Sequence, residues 1–389
     1  MKILIITHKP SFPKSDGGCL ASAQIILGLE LLGLDYKIAT ICTPKHPFLK
    51  EAYPKEIREK IALNFHLNTG NISRNLIAWF ASEKSMFLAR FYEPKFEKQL
   101  QEICNNYQPD IIHFESLFAA VYLPALRAVC DAKMLLRSHN IEHELWQDRL
   151  KKSNSLKKWF LKNHVLRLKT AEMKLFRSAD GIATISKNEF NFLSENQITT
   201  PAIYLPTGMT IGTENSSYGN DFFHLAAMDW QPNINGLNWL IHEVWSKSDF
   251  QQNRILHIAG KSLNQKDFSA HNGVKNHGMV KDSRSFMCDF GIMLIPLFEG
   301  SGLRIKIIEA GGLGVPIIAT SKAVEGIGLK HGIHFLEANT ASEFQKAMQL
   351  LMNDVSLRRS LGEAIRHFIK ENFNQDVLNS QLIEFYKNI

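Results

Sequence analysis

Short, almost continuously apolar runs alternate with helical stretches along the first half of the chain, and this pattern constrains the fold most. The runs are Lys2–Thr7, Asp35–Cys42, Pro109–Phe114, Lys133–Ser138, Gly181–Ser186 and Ala202–Pro206, and an amphipathic stretch, Cys19–Leu32, follows the first of them. A strand that is covered by helices on both faces has no polar alternation, so the runs predict buried strands. Strands that alternate with helices predict a parallel, right-handed, doubly wound sheet.

The same pattern restarts after a polar, irregular stretch, Thr207–Asp221. The later runs are Phe222–Ala227, Arg254–Gly260, Phe290–Pro296 and Val315–Thr320. The polar stretch has the composition of an interdomain linker, and 389 residues suffice for two domains. We therefore predict an α/β protein with two Rossmann-like, doubly wound parallel-sheet domains that face an interdomain cleft. The domains span 1–210 and 211–372, and a C-terminal helix over 373–389 packs back on the first.

Composition excludes several classes of protein. Hydrophobic residues make up 45% and charged residues 21% of the chain, which is typical of globular proteins rather than disordered ones. No apolar run reaches the roughly 18 residues that span a bilayer, and no signal-peptide cleavage site follows the first strand. The five cysteines are scattered and show no metal-ligand or redox spacing. We therefore predict a cytoplasmic protein without a metal site. The net charge of +7 favours an anionic partner.

The loop after Phe290–Pro296 carries the richest set of candidate ligand-binding residues, because open α/β sheets bind ligands at the carboxyl ends of their strands. Phe298–Ala310 reads FEGSGLRIKIIEA. Gly300 and Gly302 let a ligand approach the backbone closely. A helix beginning near Leu303 would direct free N–H groups and its dipole at an anion.

The same segment adds charged side chains to that helix terminus. Arg304 and Lys306 are cationic, and an arginine can bind phosphate oxygens in a bidentate manner. Glu309 could accept hydrogen bonds from two neighbouring ribose hydroxyls. We interpret the segment as a site for a pyrophosphate and a ribose; the alternative is an amphipathic helix whose charges face solvent.

A second group of polar residues follows the run Lys133–Ser138, within Leu135–Trp146. His139 comes directly after the strand, beside Asn140 and Glu142, and a neutral imidazole there could bind a sugar hydroxyl or a phosphate oxygen. We predict a functional role for His139 and a structural role for His143. The spacing does not form a His-Glu-x-x-His metal site.

The turn after the first strand, His8–Ala23, contains Asp16, Gly17 and Gly18 just before a helix. It has neither the complete Gly-x-Gly-x-x-Gly fingerprint nor a Walker sequence. Gly17 and Gly18 therefore fit two interpretations equally, a loop that approaches a phosphate or a simple entry into a helix.

A basic stretch, Arg149–Arg177, contains ten Lys and Arg against one Glu, with Trp159 and Phe160 among them. Such a helix could lie on an anionic membrane surface. The alternative is a solvated cationic face whose apolar stripe lies in the core. A nucleic-acid partner is not predicted, because no recognised binding motif accompanies the stretch.

Together these segments resemble family 4 of the retaining GT-B glycosyltransferases, over nearly the whole chain. Gly300–Thr320 is similar to the donor-site loop, helix and strand of that family. Ala226–Leu240 resembles the first strand and helix of the C-terminal domain in one bacterial branch. Shorter segments also have equivalents, namely the HNIEH sequence, Ile182–Glu189, Leu205–Met209, His257–Lys261 and Gly278–Asp282.

The resemblance implies a retaining, metal-independent hexosyltransferase that needs no cofactor beyond its substrate, a UDP- or GDP-sugar. The acceptor would be a glycan or a lipid-linked molecule in cell-envelope polysaccharide or glycoconjugate synthesis, and the enzyme would be cytoplasmic or peripheral at the inner face of the membrane. Its catalytic residues would be His139, Arg304 and Lys306, which act by electrostatic stabilisation and positioning. The donor-binding residues would be Gly17, Gly18, Glu299, Gly300, Ser301, Gly302, Leu303 and Glu309.

The sequence departs from the family pattern in two places. The family commonly has two glutamates that are closer together than Glu299 and Glu309. Many members also carry an Arg and a Lys after the first strand of the C-terminal domain, where this chain has Met228–Trp230 and Gln231. We infer that Arg304 and Lys306 replace these cations, with Lys261 as a further candidate.

Two other functions are compatible with this fold. A GT-B sugar-nucleotide epimerase would share the fold and the donor, and a catalytically degenerate GT-B protein would act as a binding subunit. A Rossmann dehydrogenase is disfavoured, because no dinucleotide fingerprint follows the first strand.

Overall fold

The computed structural model describes residues 1–70, 85–151, 155–209, 218–264, 267–268, 270–300 and 303–389, with the backbone alone at 155–160. The chain forms two compact units. Unit 1 comprises Met1–Gly208 and Gln375–Ile389, and unit 2 comprises Met209–Asn374. Each unit is built on a parallel sheet with helices, so the predicted fold class is confirmed. Of the predicted linker, residues 210–217 lie outside the described part of the chain.

Unit 1 contains a seven-stranded parallel sheet. Its strands are β1 (Lys2–Thr7), β2 (Asp35–Cys42), β3 (Ile61–His66), β4 (Ile111–Glu115), β5 (Lys133–Ser138), β6 (Gly181–Thr184) and β7 (Ala202–Tyr204). They are arranged in the order β3-β2-β1-β4-β5-β6-β7, so β1 and β4 are neighbours. In register, Thr7 of β1 lies beside Glu115 of β4, and Glu115 lies beside Arg137 of β5.

Helices cover both faces of this sheet. The helices before the second unit are α1 (Gly17–Leu31), α2 (Lys55–Arg58), α3 (Met86–Ala89), α4 (Pro94–Tyr107), α5 (Leu123–Arg127), α6 (Glu142–Lys151), α7 (Ser155–Ser178) and α8 (Lys187–Glu195), and Gln375–Asn388 forms the C-terminal helix. One face packs Ile3, Ile5 and Leu135 against α1 and the C-terminal helix. The other face packs Leu4 and Ile6 against α4 and α7. Double coverage explains why the strands are continuously apolar.

Unit 2 contains a six-stranded parallel sheet. Its strands are β8 (Phe222–Leu225), β9 (Leu256–Ala259), β10 (Val274–Asn276), β11 (Ile292–Ile295), β12 (Ile317–Ala319) and β13 (Leu336–Glu337), in the order β10-β9-β8-β11-β12-β13. Its helices are α9 (Gln231–Trp239), α10 (Phe250–Asn253), α11 (Ser283–Asp289), α12 (Ile305–Gly312), α13 (Ser321–Val324), α14 (Ala341–Asn353) and α15 (Val355–Phe373), and a π-helical segment, Leu240–Trp245, continues α9.

The structure adds three strands that the sequence patterns did not predict, β3, β10 and β13. All three lie at an edge of a sheet. Helix α12 begins at Ile305, with Arg304 as its N-cap, rather than near Leu303 as predicted.

The strand order of each sheet reverses direction at one point, and doubly wound sheets bind ligands in the crevice at such a point. In unit 1 the reversal lies between β1 and β4, and in unit 2 it lies between β8 and β11. The loops that leave these four strands are therefore the expected ligand-binding loops, and the candidate residue His139 follows the neighbouring strand β5.

Candidate functional site

In unit 2 the loop after β11 packs against the loop after β8 through Gly300 and Trp230. Gly300 has a φ of 105°, in the left-handed region that favours glycine. A Cβ atom added at Gly300 would lie 2.5 Å from the indole ring of Trp230. The guanidinium carbon of Arg304 lies 5.1 Å from the centre of the same ring, within cation–π distance. Only glycine therefore allows the backbone to reach Trp230 and Arg304 here.

Arg304 is a partly buried cation at the first turn of α12. Burial lowers its pKa to about 10, and the charge of Glu325 opposes that effect. Arg304 therefore stays protonated at neutral pH while its environment is partly desolvated. Charge interactions strengthen as the local dielectric constant falls, and the N-terminal dipole of α12 adds to the positive potential. This arrangement suits the binding of an anion.

Lys306 and Glu309 lie on the same side of α12 and form an ion pair. The Lys306 Nζ atom donates to Glu309 Oε2 at 2.5 Å and to the Ser283 hydroxyl at 3.1 Å. The two predicted phosphate-binding cations, Arg304 and Lys306, thus differ in their available charge. Glu309, one helical turn away, offsets the charge of Lys306. The same contact fixes the position of the Glu309 carboxylate.

Glu299 is held by a chain of amides that the sequence analysis missed. The Asn235 side-chain amide donates to Glu299 Oε1 at 3.0 Å, and the Gln231 amide donates to the Asn235 side-chain oxygen at 2.8 Å. Both amides belong to α9, which follows β8. The sequence signal was the polar segment Asp229–Asn235, which follows that strand after three residues. Leu303 is half-buried, whereas the predicted residues Ser301 and Gly302 lie outside the described residues.

Lys261, the further candidate cation, follows β9 and pairs with Asp229. The Lys261 Nζ atom lies 2.7 Å from Asp229 Oδ2, and both side chains are largely exposed. Its charge is therefore also balanced within unit 2.

In unit 1, Glu115 is completely buried at the carboxyl end of β4. Its carboxylate accepts a hydrogen bond from the Ser22 hydroxyl at 3.0 Å and lies 3.3 Å from Arg137 Nη1 and 3.0 Å from His113 Nε2. Burial alone would raise the pKa of Glu115, but Arg137 and the two histidines His113 and His139 hold it well below its usual value. Glu115 is therefore a buried carboxylate.

Glu115 also fixes the chemistry of His139, which was predicted to be functional. The His139 Nε2 atom lies 2.8 Å from Glu115 Oε2, so this nitrogen carries the proton that the carboxylate accepts. Burial lowers the pKa of His139, and the contact with Glu115 opposes that effect. His139 is therefore neutral near pH 7 and leaves Nδ1 as a hydrogen-bond acceptor. A sugar hydroxyl can donate to such an atom, whereas an ionised phosphate oxygen cannot. The geometry favours the first of the two predicted partners.

The C-terminal helix supports this arrangement through Tyr386. The Tyr386 hydroxyl is hydrogen-bonded to Nδ1 of His113, whose other nitrogen faces Glu115. His113, Arg137 and Tyr386 are all buried, and the sequence analysis did not single them out. The signal was present, since His113 and Arg137 are polar residues inside otherwise apolar strands, where a charge needs a partner.

The turn containing Gly17 and Gly18 forms the entry to α1. The Asp16 carboxylate accepts the Cys19 backbone N–H at 2.9 Å and the Lys9 ammonium at 2.7 Å. A side chain at Gly18 would meet the Lys9 amine, whereas a Cβ atom at Gly17 would meet nothing within 4 Å. This is a capped helix terminus at the reversal point of the sheet, and it remains compatible with both predicted interpretations.

Within the described residues one trio, Asp16, Cys19 and His46, places its potential metal-ligand atoms within 4.8 Å of one another. The Lys9 ammonium already occupies the Asp16 carboxylate. Burial raises the pKa of the Cys19 thiol, which disfavours the thiolate that a metal needs. The trio is therefore a poor fit for a metal ion.

His143, which was predicted to be structural, is buried in the interior of unit 1. Its Nδ1 atom lies 2.6 Å from Glu172 Oε2, and the same carboxylate accepts the backbone N–H groups of Glu142 and His143. His143 and Glu172 thus join α6 to α7 and satisfy the first turn of α6.

The described part of the basic stretch buries its apolar residues. Val165, Leu168 and Phe176 are buried in the core, and Leu166 is the large apolar side chain that is exposed within 161–177. The exposed cations of the same segment are Lys162, Arg167, Lys169, Lys174 and Arg177. The side chains of Trp159 and Phe160 lie outside the described residues. None of the described helices is both long and apolar enough to cross a membrane.

Known proteins resemble this chain in sequence and in fold. Residues 219–354, within unit 2, match the family described as Glycosyl transferases group 1. A Klebsiella pneumoniae relative, named as an uncharacterized 44.6 kDa protein in the cps region, is 24% identical and covers 98% of this chain and 99% of its own length.

Solved structures share the fold of the whole chain. HepE of Anabaena in complex with UDP is similar with a TM-score of 0.71 at 13% identity, over 100% of both chains. Sucrose-phosphate synthase from Thermosynechococcus elongatus has a TM-score of 0.69 at 15% identity, over 100% of this chain and 99% of its own. The lipopolysaccharide outer core galactosyltransferase WaaB has a TM-score of 0.65 at 12% identity, over 100% of both chains.

The chain therefore has the GT-B fold of glycosyltransferases. Within unit 2, the match to the glycosyl transferases group 1 family includes Trp230, Gly300 and Arg304. The predicted GT-B fold is confirmed, whereas membership of family 4 stays a prediction.

Proposed function

We propose that this protein is a retaining, metal-independent glycosyltransferase of family 4. It transfers a hexosyl group from a UDP- or GDP-sugar to a glycan or lipid-linked acceptor in cell-envelope polysaccharide or glycoconjugate synthesis. The observation that carries the proposal is the contact of Trp230, Gly300 and Arg304 at the reversal point of unit 2. The group 1 domain match over the same residues supports it. So do the UDP named for HepE and the cps region named for the Klebsiella relative.

Unit 2 binds the nucleotide in this proposal. Arg304 and the first turn of α12 take the diphosphate, with Lys306 beside them, and Glu309 takes the ribose. As the bond to the sugar breaks, negative charge grows on the departing diphosphate. Preorganised cations and N–H groups stabilise that charge without a metal ion. Arg304 contributes most, because the charge of Lys306 is shared with Glu309.

Unit 1 contributes His139. Its Nδ1 atom accepts a hydrogen bond from a sugar hydroxyl, and Glu115 keeps the imidazole in the tautomer that this contact requires. Gly17 and Gly18 at the start of α1 and the Glu299–Leu303 loop complete the proposed set of donor-binding residues.

The decisive experiment is nucleotide release from a panel of UDP-, GDP- and ADP-sugars, with calorimetric titration of UDP and GDP. We expect release from at least one donor. Arg304→Gln should lower kcat by roughly 100-fold or more, since removing one donor of transition-state charge stabilisation costs about that much. Glu309→Ala should weaken nucleotide binding.

Arg359→Gln is the matched control. Arg359 is an exposed arginine of α15, and its guanidinium lies 5.9 Å from the ring of Tyr218, before β8 and thus away from the carboxyl edge. Its activity should equal that of the unmodified chain. Absence of binding to UDP and GDP would contradict the proposal. Conversion of the free donor into another sugar would identify an epimerase, and binding without turnover would identify a binding subunit.

A further inference from the structure

Arg90 of unit 1 lies at the reversal point of the sheet and was not among the predicted site residues. Its guanidinium carbon is 4.9 Å from the ring centre of Phe91 and 6.0 Å from that of Phe118. Phe118 follows β4, and His8 follows β1. The His8 ring lies 5.7 Å from Phe91 and 5.4 Å from Phe118. Arg90 therefore sits beside the crevice between the carboxyl ends of β1 and β4, where such sheets bind ligands.

Arg90 is partly buried and has no ion pair with any carboxylate of the described residues. Its Nε atom is buried and finds no hydrogen-bond partner among them. A cation removed from water needs a counter-charge or hydrogen-bond acceptors, and cation–π contact replaces only part of the lost hydration. Arg137, which is also buried in unit 1, likewise leaves its Nε atom without a partner, but its Nη atoms donate to Glu115 and to two backbone carbonyls.

The described charged groups around Arg90 supply only part of its counter-charge. Burial lowers the pKa of Arg90, the charge of Glu142 opposes that effect, and the charge of Arg149 adds to it. Burial and the neighbouring Glu172 raise the pKa of Glu142 to about 7, so at neutral pH the Glu142 carboxyl is only partly ionised. Glu172 itself is occupied by His143 and the backbone of α6. Two guanidinium groups therefore act on this region against one weakened carboxylate.

We propose that Arg90 binds an anionic oxygen group of the acceptor, a phosphate or a carboxylate, at the carboxyl edge of the unit 1 sheet. The planar guanidinium provides bidentate N–H groups for such an oxyanion, and the Phe91 and Phe118 rings hold it in place from one side. The proposal rests on the proposed function for the identity of the ligand as the acceptor. The binding of an anion at Arg90 does not depend on that function.

Anion binding is measured directly by calorimetric titration with inorganic pyrophosphate and with methyl glucuronide, and methyl glucoside serves as the uncharged reference. The titrations use the Arg304→Gln chain, so that the contribution of unit 2 to anion binding is reduced. We expect one of the two anions to bind and methyl glucoside not to bind. Preference for pyrophosphate would indicate an acceptor with a diphosphate, and preference for the glucuronide would indicate one with a uronic acid.

Adding Arg90→Gln to that chain should weaken anion binding at least tenfold, while Arg90→Lys, which keeps the charge, should retain a measurable part. Arg127→Gln is the matched control, because Arg127 Nη2 already pairs with Asp180 Oδ2 at 2.6 Å. Equal anion binding with and without Arg90→Gln, or no binding of either anion to the parent chain, would overturn the proposal. Urea unfolding distinguishes an anion-binding role of Arg90 from a structural one. If the role is structural, Arg90→Gln should lower the free energy of unfolding and leave the anion affinity unchanged.

In the otherwise unmodified chain, Arg90→Gln should raise the acceptor KM at least tenfold and leave UDP affinity unchanged. UDP affinity tests the proposed function, whereas the anion titrations test Arg90, so the failure of one is distinguishable from the failure of the other.

Discussion

Glu115, which is buried, and Glu142, which is half-buried, are two carboxyl groups of unit 1 whose pKa values are displaced in opposite directions. Burial raises the pKa of both groups. At Glu115, Arg137 and the histidines His113 and His139 outweigh this effect and lower the pKa, whereas at Glu142 the charge of Glu172 raises the pKa further. Glu115 therefore stabilises the fold above its unfolded pKa, and this contribution is lost as the pH falls. Glu142 has the opposite pH dependence. Because folding raises its pKa, its contribution to stability is present at low pH and is lost as the pH rises towards about 7.

Glu115→Gln should lower the free energy of unfolding at pH 7 by about 3–5 kcal/mol, because it leaves Arg137 buried without its partner. The difference from the unmodified chain should shrink below about pH 4.5, where the unfolded carboxyl group also binds a proton. Urea denaturation across pH 4 to 8 measures both effects. Glu142→Gln is the control, because it is the same substitution at a carboxyl group with the opposite pKa displacement. Its effect on the free energy of unfolding should be more favourable at pH 8 than at pH 5. Equal stability of the Glu115→Gln chain at pH 7 would contradict the assignment of Glu115 as an ionised group.

The position of His139 at the end of a strand could be predicted from the sequence, but its partner Glu115 could not. The sequence places a histidine directly after an apolar strand, which is a local signal. The contact with Glu115 depends on β4 and β5 being neighbours with Glu115 beside Arg137, and register is not visible in a single sequence. The ion pair of Lys306 with Glu309 could not be predicted from the sequence either, because it depends on side-chain rotamers.

At the scale of elements, burial decides which strands a sequence reveals. β1 and β5 were predicted with their observed bounds, because both of their faces are covered. β3 alternates between half-buried and exposed residues, and β10 and β13 are only a few residues long. Their short length or their exposed alternate residues leave no continuous apolar run to mark them, whereas β7, which also lies at a sheet edge, falls within the predicted run Ala202–Pro206.

The loop between β11 and α12 depends on a backbone conformation that other residues rarely adopt. Gly300→Ala should displace this loop, because of its φ of 105° and because the new Cβ atom would lie 2.5 Å from Trp230. We expect UDP affinity to fall by roughly 10- to 100-fold, since small displacements of positioning groups have effects of that size. Calorimetric titration measures it.

A double-mutant cycle separates the two causes of that loss. In a Trp230→Ala chain the ring is absent, so adding Gly300→Ala should cost less affinity than it does in the unmodified chain. An equal cost in both chains would show that Trp230 does not constrain Gly300, and the contact would lose its proposed role.

At the scale of the whole molecule, the net charge of +7 includes the exposed cations of α7. The apolar residues of the described part of α7 face the core, so we propose that any peripheral membrane association is electrostatic rather than insertive. The chain should sediment with anionic vesicles at low salt and be released at high salt, as Debye screening requires. Lys162→Glu with Lys169→Glu should weaken this binding more than tenfold.

Lys247→Glu with Lys322→Glu is the matched control, because it changes the net charge equally but lies in unit 2. Binding that is insensitive to salt, or equal weakening in both double variants, would refute a membrane-binding role of α7.

Unit 1 is interrupted in sequence, since Gln375–Ile389 joins Met1–Gly208 only after all of unit 2 has been passed. On the ribosome, Tyr386 is made after all of unit 2, so its hydrogen bond to His113 beside Glu115 forms only then. A nascent chain can therefore complete unit 2 before unit 1, contrary to the usual order in which N-terminal domains mature first. A chain that is terminated before Gln375 would keep all of unit 2 but would leave His113 without Tyr386 and one face of the unit 1 sheet without its C-terminal helix.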